Sequence, residues 1–125
     1  MNILNDYRVN RALAVAWIAL IFFLSSKSDI DMPDMFSIQD KLAHGIVFAI
    51  LGIFFARSFK TYPAEQAALI KRILLVTLMV TVYGGLDETH QFFVNGRDAS
   101  FADLFADAIG GFIGASVVCG IKLKS

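Results

Sequence analysis

The chain of 125 residues is long enough for one domain, and 57% of those residues are hydrophobic while 18% are charged, against roughly 25% charged in globular proteins. The formal net charge is zero and the basic residues form no continuous face, which excludes nucleic acid as a partner. With a mean hydropathy of +0.64, the composition predicts a polytopic membrane protein rather than a soluble domain.

The first two hydrophobic segments predict two spanning helices. Residues 9–24 have the length that a tilted spanning helix needs. This segment resembles a signal peptide, but Leu24-Ser25-Ser26-Lys27 is a poor cleavage site and three more apolar segments follow. A second helix is predicted over residues 40–56, with Asp40 in the first turn, where the helix dipole favours an acid.

Two further helices follow a basic connection. Pro63 and the residues after it resemble the start of a short interfacial helix, and spans are then predicted over 73–91 and 101–121. We therefore predict an all-α bundle of four transmembrane helices in a single domain, residues 1–125. The apolar runs are short or interrupted by polar residues, so a soluble four-helix bundle is the alternative.

Charge placement predicts the orientation of the chain. If both termini are cytoplasmic, eight of the eleven basic residues lie on the inner side, as the positive-inside rule requires. These eight are Arg8, Arg11, Arg57, Lys60, Lys71, Arg72, Lys122 and Lys124. The two outer loops then bring most of the polar residues of the last three helices to the extracytoplasmic face.

The last three helices each carry two polar residues at i, i+4 spacing near the predicted outer end. These pairs are Asp40 and His44, Asp87 and Gln91, and Asp103 and Asp107. Residues at this spacing share one helix face, so three pairs at one level predict convergence inside the bundle. Asp107 lies about 6 Å deeper than Asp103 at a rise of 1.5 Å per residue, where an unpaired charge is unfavourable.

These residues divide into two predicted roles. The candidates for proton transfer, and hence for catalysis, are Asp40, His44, Asp87, Glu88 and Asp107, and the candidates for ligand binding are Lys41, Gln91, Arg97 and Asp103. Arg97 follows an Asn95-Gly96 turn, and with Lys41 it is expected to clamp an anion. The structural alternatives are that Asp103 caps a helix and that His90 is a solvated loop residue.

No metal or cofactor is expected. A metal set can be drawn from His44, Asp87, Glu88 and Asp107, but its spacing matches no zinc signature. The sequence has no phosphate loop after a strand and no nucleophile elbow. Ser25 and Ser26 are hydroxyls without an evident activating base.

Small residues predict close helix contacts. Gly110 and Gly114 form a small-xxx-small pattern that lets another helix approach, either within the chain or in a homo-oligomer. Gly84-Gly85 permits a kink or a close contact in the third helix. Cys119 lies in an apolar run and is expected to be a buried hydrophobe.

The polar residues occur in an order and at a spacing that resembles the VanZ-like family of small membrane proteins. The matching pieces are Asp40-Lys41-x-x-His44 with Phe48 and Gly52, Asp87-Glu88-x-x-Gln91 with Phe92 or Phe93, Gly96-Arg97, Asp103, and Asp107-x-x-Gly110-x-x-x-Gly114. Together they cover about residues 40–114. The family commonly has Asn where this chain has Asp107, and often Pro where this chain has Asn95. The departure at Asp107 adds a charge to the site.

The resemblance implies a multi-pass protein of the bacterial cytoplasmic (inner) membrane. The family is named after a member associated with low-level resistance to the glycopeptide teicoplanin, so a link to glycopeptide tolerance is implied as well. Most members have no settled activity.

We expect an outward-facing polar pocket that binds or processes an anionic lipid-linked or cell-wall component of the envelope, with membrane lipid as its surroundings. The alternative is a non-catalytic module whose polar cluster ties helix ends together and whose Gly110 and Gly114 form a homo-oligomer or seat a partner. Proton-coupled transport ranks third, because four helices would have to oligomerise to enclose a path.

Overall fold

The computed structural model describes residues 3–26, 37–61, 63–93 and 101–124, without the side chains of 37–40 and 122–124. Within these residues the chain is helical and forms no strand. A 3-10 turn at Ile3–Asn5 precedes four helices. They are α1 (Tyr7–Ser25), α2 (Ser37–Arg57), α3 (Gln66–Phe92) and α4 (Phe101–Lys124).

The third helix begins earlier than the sequence predicted. It starts at Gln66, seven residues before the predicted position 73, with Glu65 as its extended N-cap residue. The prediction of a separate interfacial helix before the third span is therefore wrong. The physical reason is that residues 66–72 contain neither Gly nor Pro and consist mainly of strong helix formers, so nothing interrupts the helix once Pro63 has been passed.

Basic residues lie at the end where α1 begins, α2 ends and α3 begins. Arg11 Nε donates to the carbonyl oxygen of Ser58 at 2.9 Å, and Arg72 Nη1 donates to the carbonyl oxygen of Thr61 at 3.1 Å. Asp6 caps α1 by accepting from the backbone N–H of Arg8 at 2.8 Å. This basic end is therefore built from contacts between neighbouring helix ends.

All four helices contribute to the apolar core. Its fully or nearly fully buried members are Ile21, Phe48, Leu51, Ala56, Val76, Val80, Ala115 and Val118. Two long-range hydrogen bonds cross the core at mid-height: Trp17 Nε1 donates to the carbonyl oxygen of Val47, and the Tyr83 hydroxyl donates to that of Ile18. They fix α1 against α2 and α3.

Backbone contact between α2 and α4 depends on glycine. A methyl group at Gly110 would collide with the carbonyl oxygen of Gly45, and one at Gly114 would collide with that of Ala49. The small-residue pattern thus brings two helices of the same chain together. A homo-oligomer through Gly110 and Gly114 stays a prediction, and α2 already covers this face of α4.

Three described helices are long and apolar enough to cross a membrane: Tyr7–Ser25, Gln66–Phe92 and Phe101–Ile121. Their outward surfaces carry many exposed Leu, Ile, Val and Phe side chains, as a lipid environment allows. α2 is not among the three, and it carries Asp40, Lys41 and His44 in its first two turns. The fourth span and the cytoplasmic position of the termini stay predictions.

Candidate functional site

Among the described residues, seven polar side chains are buried, and all of them except Asn10 lie at the end of the helices opposite the basic end. There α1 and α3 end while α2 and α4 begin, as the contacts of Ser25 with Asp87 and of Lys41 with Asp103 show. The described side chains form two neighbouring groups, one between α1 and α3 and one between α2, α3 and α4.

The first group, here called the serine cluster, consists of Ser25, Asp87 and Gln91. The Ser25 hydroxyl donates to Asp87 Oδ1. Gln91 Nε2 donates to Asp87 Oδ2 at 3.1 Å and to Ser25 Oγ at 3.3 Å. Both carboxylate oxygens of Asp87 therefore have partners, which offsets the free energy of burying them and ties the end of α1 to α3.

Ser26 and His90 form an adjacent, more exposed contact. The Ser26 hydroxyl donates to the carbonyl oxygen of Phe22 at 2.8 Å, and His90 Nε2 lies 2.8 Å from the same Oγ. The imidazole also stacks on Phe22 with ring centroids 4.4 Å apart. The Ser26 hydroxyl therefore contacts both a backbone carbonyl oxygen of α1 and the imidazole of His90 in α3.

The second group, here called the histidine cluster, is centred on His44. Its members are Lys41, His44, Glu88, Asp103 and Asp107. Three carboxylates surround one imidazole: Asp107 Oδ1 lies 2.8 Å from Nδ1, Glu88 Oε1 lies 3.8 Å from Nδ1, and Asp103 Oδ2 lies 4.0 Å from Nε2. The three acids come from α3 and α4 and the imidazole from α2, so the cluster joins three helices.

Asp107 orients the imidazole from the most buried position in the cluster. Its side chain is fully buried, and its Oδ2 has no hydrogen-bond partner among the described residues. That oxygen lies against Gly84, where a methyl group would sit 2.9 Å from it. Gly84 thus provides the space that Asp107 occupies. For Gly84-Gly85 the sequence predicted either a kink or a close contact, and at Gly84 the structure has a close contact.

Lys41 connects the histidine cluster to the surface. Its Nζ lies 3.2 Å from Asp103 Oδ1, and its side chain is 35% exposed while that of Asp103 is 5% exposed. Asp103 therefore directs one oxygen towards Lys41 and the other towards His44. Among the described members of the cluster, Lys41 has the most exposed side chain.

Two apolar grooves flank the start of α4. The groove between α2 and α4 has a volume of about 510 Å³, and Lys41 lies beside the apolar side chains Leu42, Ile46, Ile109 and Ile113. The groove between α3 and α4 has a volume of about 580 Å³, and Glu88 lies among Phe92, Phe93, Phe101 and Leu104. One groove thus carries a cation and the other an acid.

The structure brings together seven of the nine residues predicted for the site. Asp87 and Gln91 are in the serine cluster, and Lys41, His44, Glu88, Asp103 and Asp107 are in the histidine cluster. The side chain of Asp40 and the whole of Arg97 lie outside the described residues, and both stay predictions. The predicted pairing of His44 with Asp40 stays a prediction, and the described contact of His44 Nδ1 is with Asp107 of another helix.

Ser25 has a role that the sequence did not predict, since its hydroxyl was expected to lack an activating base. Ser25 lies in the last turn of α1 and its hydroxyl contacts Asp87. The available signal was its position, because a serine that ends an apolar helix at the level of the predicted acidic residues is placed to pair with one of them.

A comparison with known families identifies the family of the chain. The profile of the VanZ/LLP1 family matches residues 6–122, which include every described helix almost entirely. The chain belongs to the VanZ/LLP1 family. Neither a curated protein nor a solved structure matches it significantly. Together with the three spanning helices, membership makes this VanZ/LLP1 chain a multi-pass membrane protein.

Proposed function

We propose that this VanZ/LLP1 protein binds an anionic, lipid-linked component of the bacterial cell envelope and processes its headgroup at the histidine cluster. The observation that carries the proposal is the position of Lys41. Its partly exposed ammonium group lies at the edge of the apolar groove between α2 and α4 and contacts Asp103 inside the cluster. A cation beside an apolar groove suits a phosphate attached to a hydrocarbon chain.

Charge favours this groove over its neighbour. Leu42, Ile46, Ile109 and Ile113 offer a hydrocarbon chain an apolar surface that is already exposed. Glu88 gives the groove between α3 and α4 an acidic group, which would repel a phosphate. We therefore place the hydrocarbon chain between α2 and α4, with its phosphate at Lys41.

Proton transfer is assigned to His44. It lies one helical turn beyond Lys41, and Asp107 holds its Nδ1 at 2.8 Å, as a carboxylate holds a general acid or base in many active sites. In this proposal Asp87 acts in positioning, since both of its oxygens are used by Ser25 and Gln91. Arg97, predicted as a second anion contact, remains a candidate in the outer loop.

The orientation belongs to the same proposal. With both termini in the cytoplasm, the basic end of the helices faces the cytoplasm and the two clusters face the outside of the inner membrane. α2 would then be the fourth span. Envelope precursors with lipid-linked phosphates would reach Lys41 from the outer leaflet.

The rival function is a non-catalytic membrane module. It is favoured by the serine cluster, whose members satisfy one another and join α1 to α3. If the histidine cluster has the same purpose, His44 and its acids only hold α2 to α3 and α4.

Lipid and cell-wall profiling of a deletion strain distinguishes the two. Processing predicts that one lipid-linked or cell-wall component changes in abundance, and that the wild-type gene restores it while Lys41→Met does not. Lys71→Met is the matched control, because Lys71 is an exposed lysine at the basic end of α3. Identical profiles in the wild-type and deletion strains, with immunoblots confirming expression in the wild type, would contradict processing.

A further inference from the structure

We infer that the histidine cluster is a divalent metal site in which His44, Glu88 and Asp103 are the ligands. One potential ligand atom from each of these residues lies within 4.8 Å of the other two. The three residues come from three different helices, α2, α3 and α4. The site does not depend on the proposed lipid ligand at Lys41, because it follows from the side chains alone. It replaces the proton-transfer role proposed for His44, because an Nε2 lone pair that binds a metal cannot also accept a proton.

The position of His44 supports metal binding through Nε2. Its Nδ1 lies 2.8 Å from Asp107 Oδ1, so we assign the ring hydrogen to Nδ1 and the lone pair to Nε2. Metal-ligating histidines almost always donate their other N–H to a carboxylate or carbonyl in this way. Asp107 is therefore the positioning residue of the site.

Nε2 and Asp103 Oδ2 face each other at 4.0 Å, which is longer than a hydrogen bond. Two ligand atoms on a tetrahedral ion with bonds of about 2.0–2.2 Å are roughly 3.4 Å apart. The observed distance exceeds that value by well under an ångström. Lys41 holds the other oxygen of Asp103 at 3.2 Å, which keeps Oδ2 directed towards His44.

Electrostatics also favours a cation. Glu88, Asp103 and Asp107 are 7%, 3% and 0% exposed, and three carboxylates this close repel one another when ionised. Asp107 is fully buried, its carboxylate is directed at His44, and its Oδ2 has no hydrogen-bond partner among the described residues. A divalent ion at Nε2 would reduce the repulsion among these three carboxylates.

The donor set selects the type of ion. One imidazole nitrogen with two carboxylate oxygens suits Zn²⁺ or Mn²⁺, whereas Ca²⁺ prefers oxygen ligands throughout. Sequence analysis expected no metal because the ligands follow no linear signature. Ligands that come from three helices leave no linear signature. The metal set drawn from the sequence and the set found in the structure have only His44 and Glu88 in common.

Metal binding to the purified full-length protein in detergent tests the site, with no lipid added. After stripping with EDTA, the protein is reloaded with Zn²⁺, Mn²⁺ or Ca²⁺, desalted, and measured by elemental mass spectrometry and calorimetry. We expect one Zn²⁺ or Mn²⁺ per chain and much weaker retention of Ca²⁺. Retention of no ion by the wild-type protein would overturn the site without any variant, and retention of Ca²⁺ as tight as Zn²⁺ would overturn His44 as a ligand.

Variants then test the individual ligands. Glu88→Gln and His44→Gln should each weaken binding about tenfold or more, and Asp107→Asn should weaken it about 10–100-fold through its effect on His44. The matched control is Glu65→Gln, an exposed acid at the opposite end, which should bind as the wild type does. Unchanged affinity in Glu88→Gln and His44→Gln would show that the ion binds elsewhere and would overturn the site. Because no lipid is present, that result leaves the lipid-binding proposal standing.

Discussion

His44 of α2 and Asp107 of α4 are joined by a 2.8 Å contact between Nδ1 and Oδ1 at a point where the Asp107 side chain is fully buried. The contact crosses between the two helices whose backbones approach most closely, at Gly110 and Gly114. Its geometry depends on α2 and α4 being held in register by that glycine contact.

The requirement for an acceptor at position 107 gives a first prediction. Asp107→Asn keeps a carbonyl oxygen that accepts from Nδ1, so the free energy of unfolding should change little. Asp107→Leu removes the acceptor for the Nδ1–H of His44. This change should lower the free energy of unfolding by about 1–3 kcal/mol. Denaturation of the purified protein in detergent measures both. Equal losses in the two variants would show that the negative charge, rather than the acceptor, stabilises the contact.

The close approach of α2 and α4 gives a second prediction. Gly114→Ala places a methyl group against the carbonyl oxygen of Ala49 and should destabilise the protein by about 1–3 kcal/mol, since two backbones have to separate. Gly120→Ala is the control in the same helix, because a methyl group there meets no atom within 4 Å. It should be neutral or slightly stabilising. Denaturation midpoints that rank the two variants the other way would contradict the packing.

The serine cluster gives a third prediction. Ser25→Ala removes the donor to Asp87 Oδ1 and should cost about 1–3 kcal/mol of unfolding free energy, because a buried carboxylate loses a partner. Ser26→Ala alters an exposed hydroxyl in the adjacent position and should cost less. The same denaturation assay compares them, and a larger loss for Ser26→Ala would argue against the tie between α1 and α3.

The orientation gives a fourth prediction. A phosphatase reporter fused after Lys124 should be inactive, and a fluorescent reporter that folds only in the cytoplasm should be bright at the same position. The charge distribution leads to this result, because eight of the eleven basic residues lie in segments predicted to be inside. The opposite pair of signals would place both clusters on the cytoplasmic side.

The sequence predicted at which end of the helices the polar residues lie, but not which side chains contact one another. The i, i+4 pairs indicated one end of the helices, and their described members lie there: His44, Asp87, Gln91, Asp103 and Asp107. Helix rotation and packing decide which side chains meet, and a single sequence does not encode these in its local spacing. For that reason the contacts of His44 with Asp107 and of Ser25 with Asp87 were not predicted.

The start of α3 illustrates a different limit. Charged and amide residues between 65 and 72 suggested an interface, and the predicted span began only where the apolar run did. Helix propensity continues through such residues, since Lys and Arg are good helix formers and place their charges at the membrane surface. Hydropathy therefore located the apolar part of α3 but not its first turns.

Retention of anionic lipid by the purified protein tests the central claim most directly. Native mass spectrometry would compare a polyprenyl phosphate, phosphatidylglycerol and phosphatidylethanolamine, each added with and without EDTA, so that the phosphate source and any metal requirement are separated. We predict that the wild-type protein and Lys71→Met retain an anionic lipid, and that Lys41→Met retains it roughly 10–100-fold less, as expected for one charge-assisted contact. Equal retention by Lys41→Met and Lys71→Met, or no preference for anionic lipid in the wild type, would contradict a phosphate site at the histidine cluster.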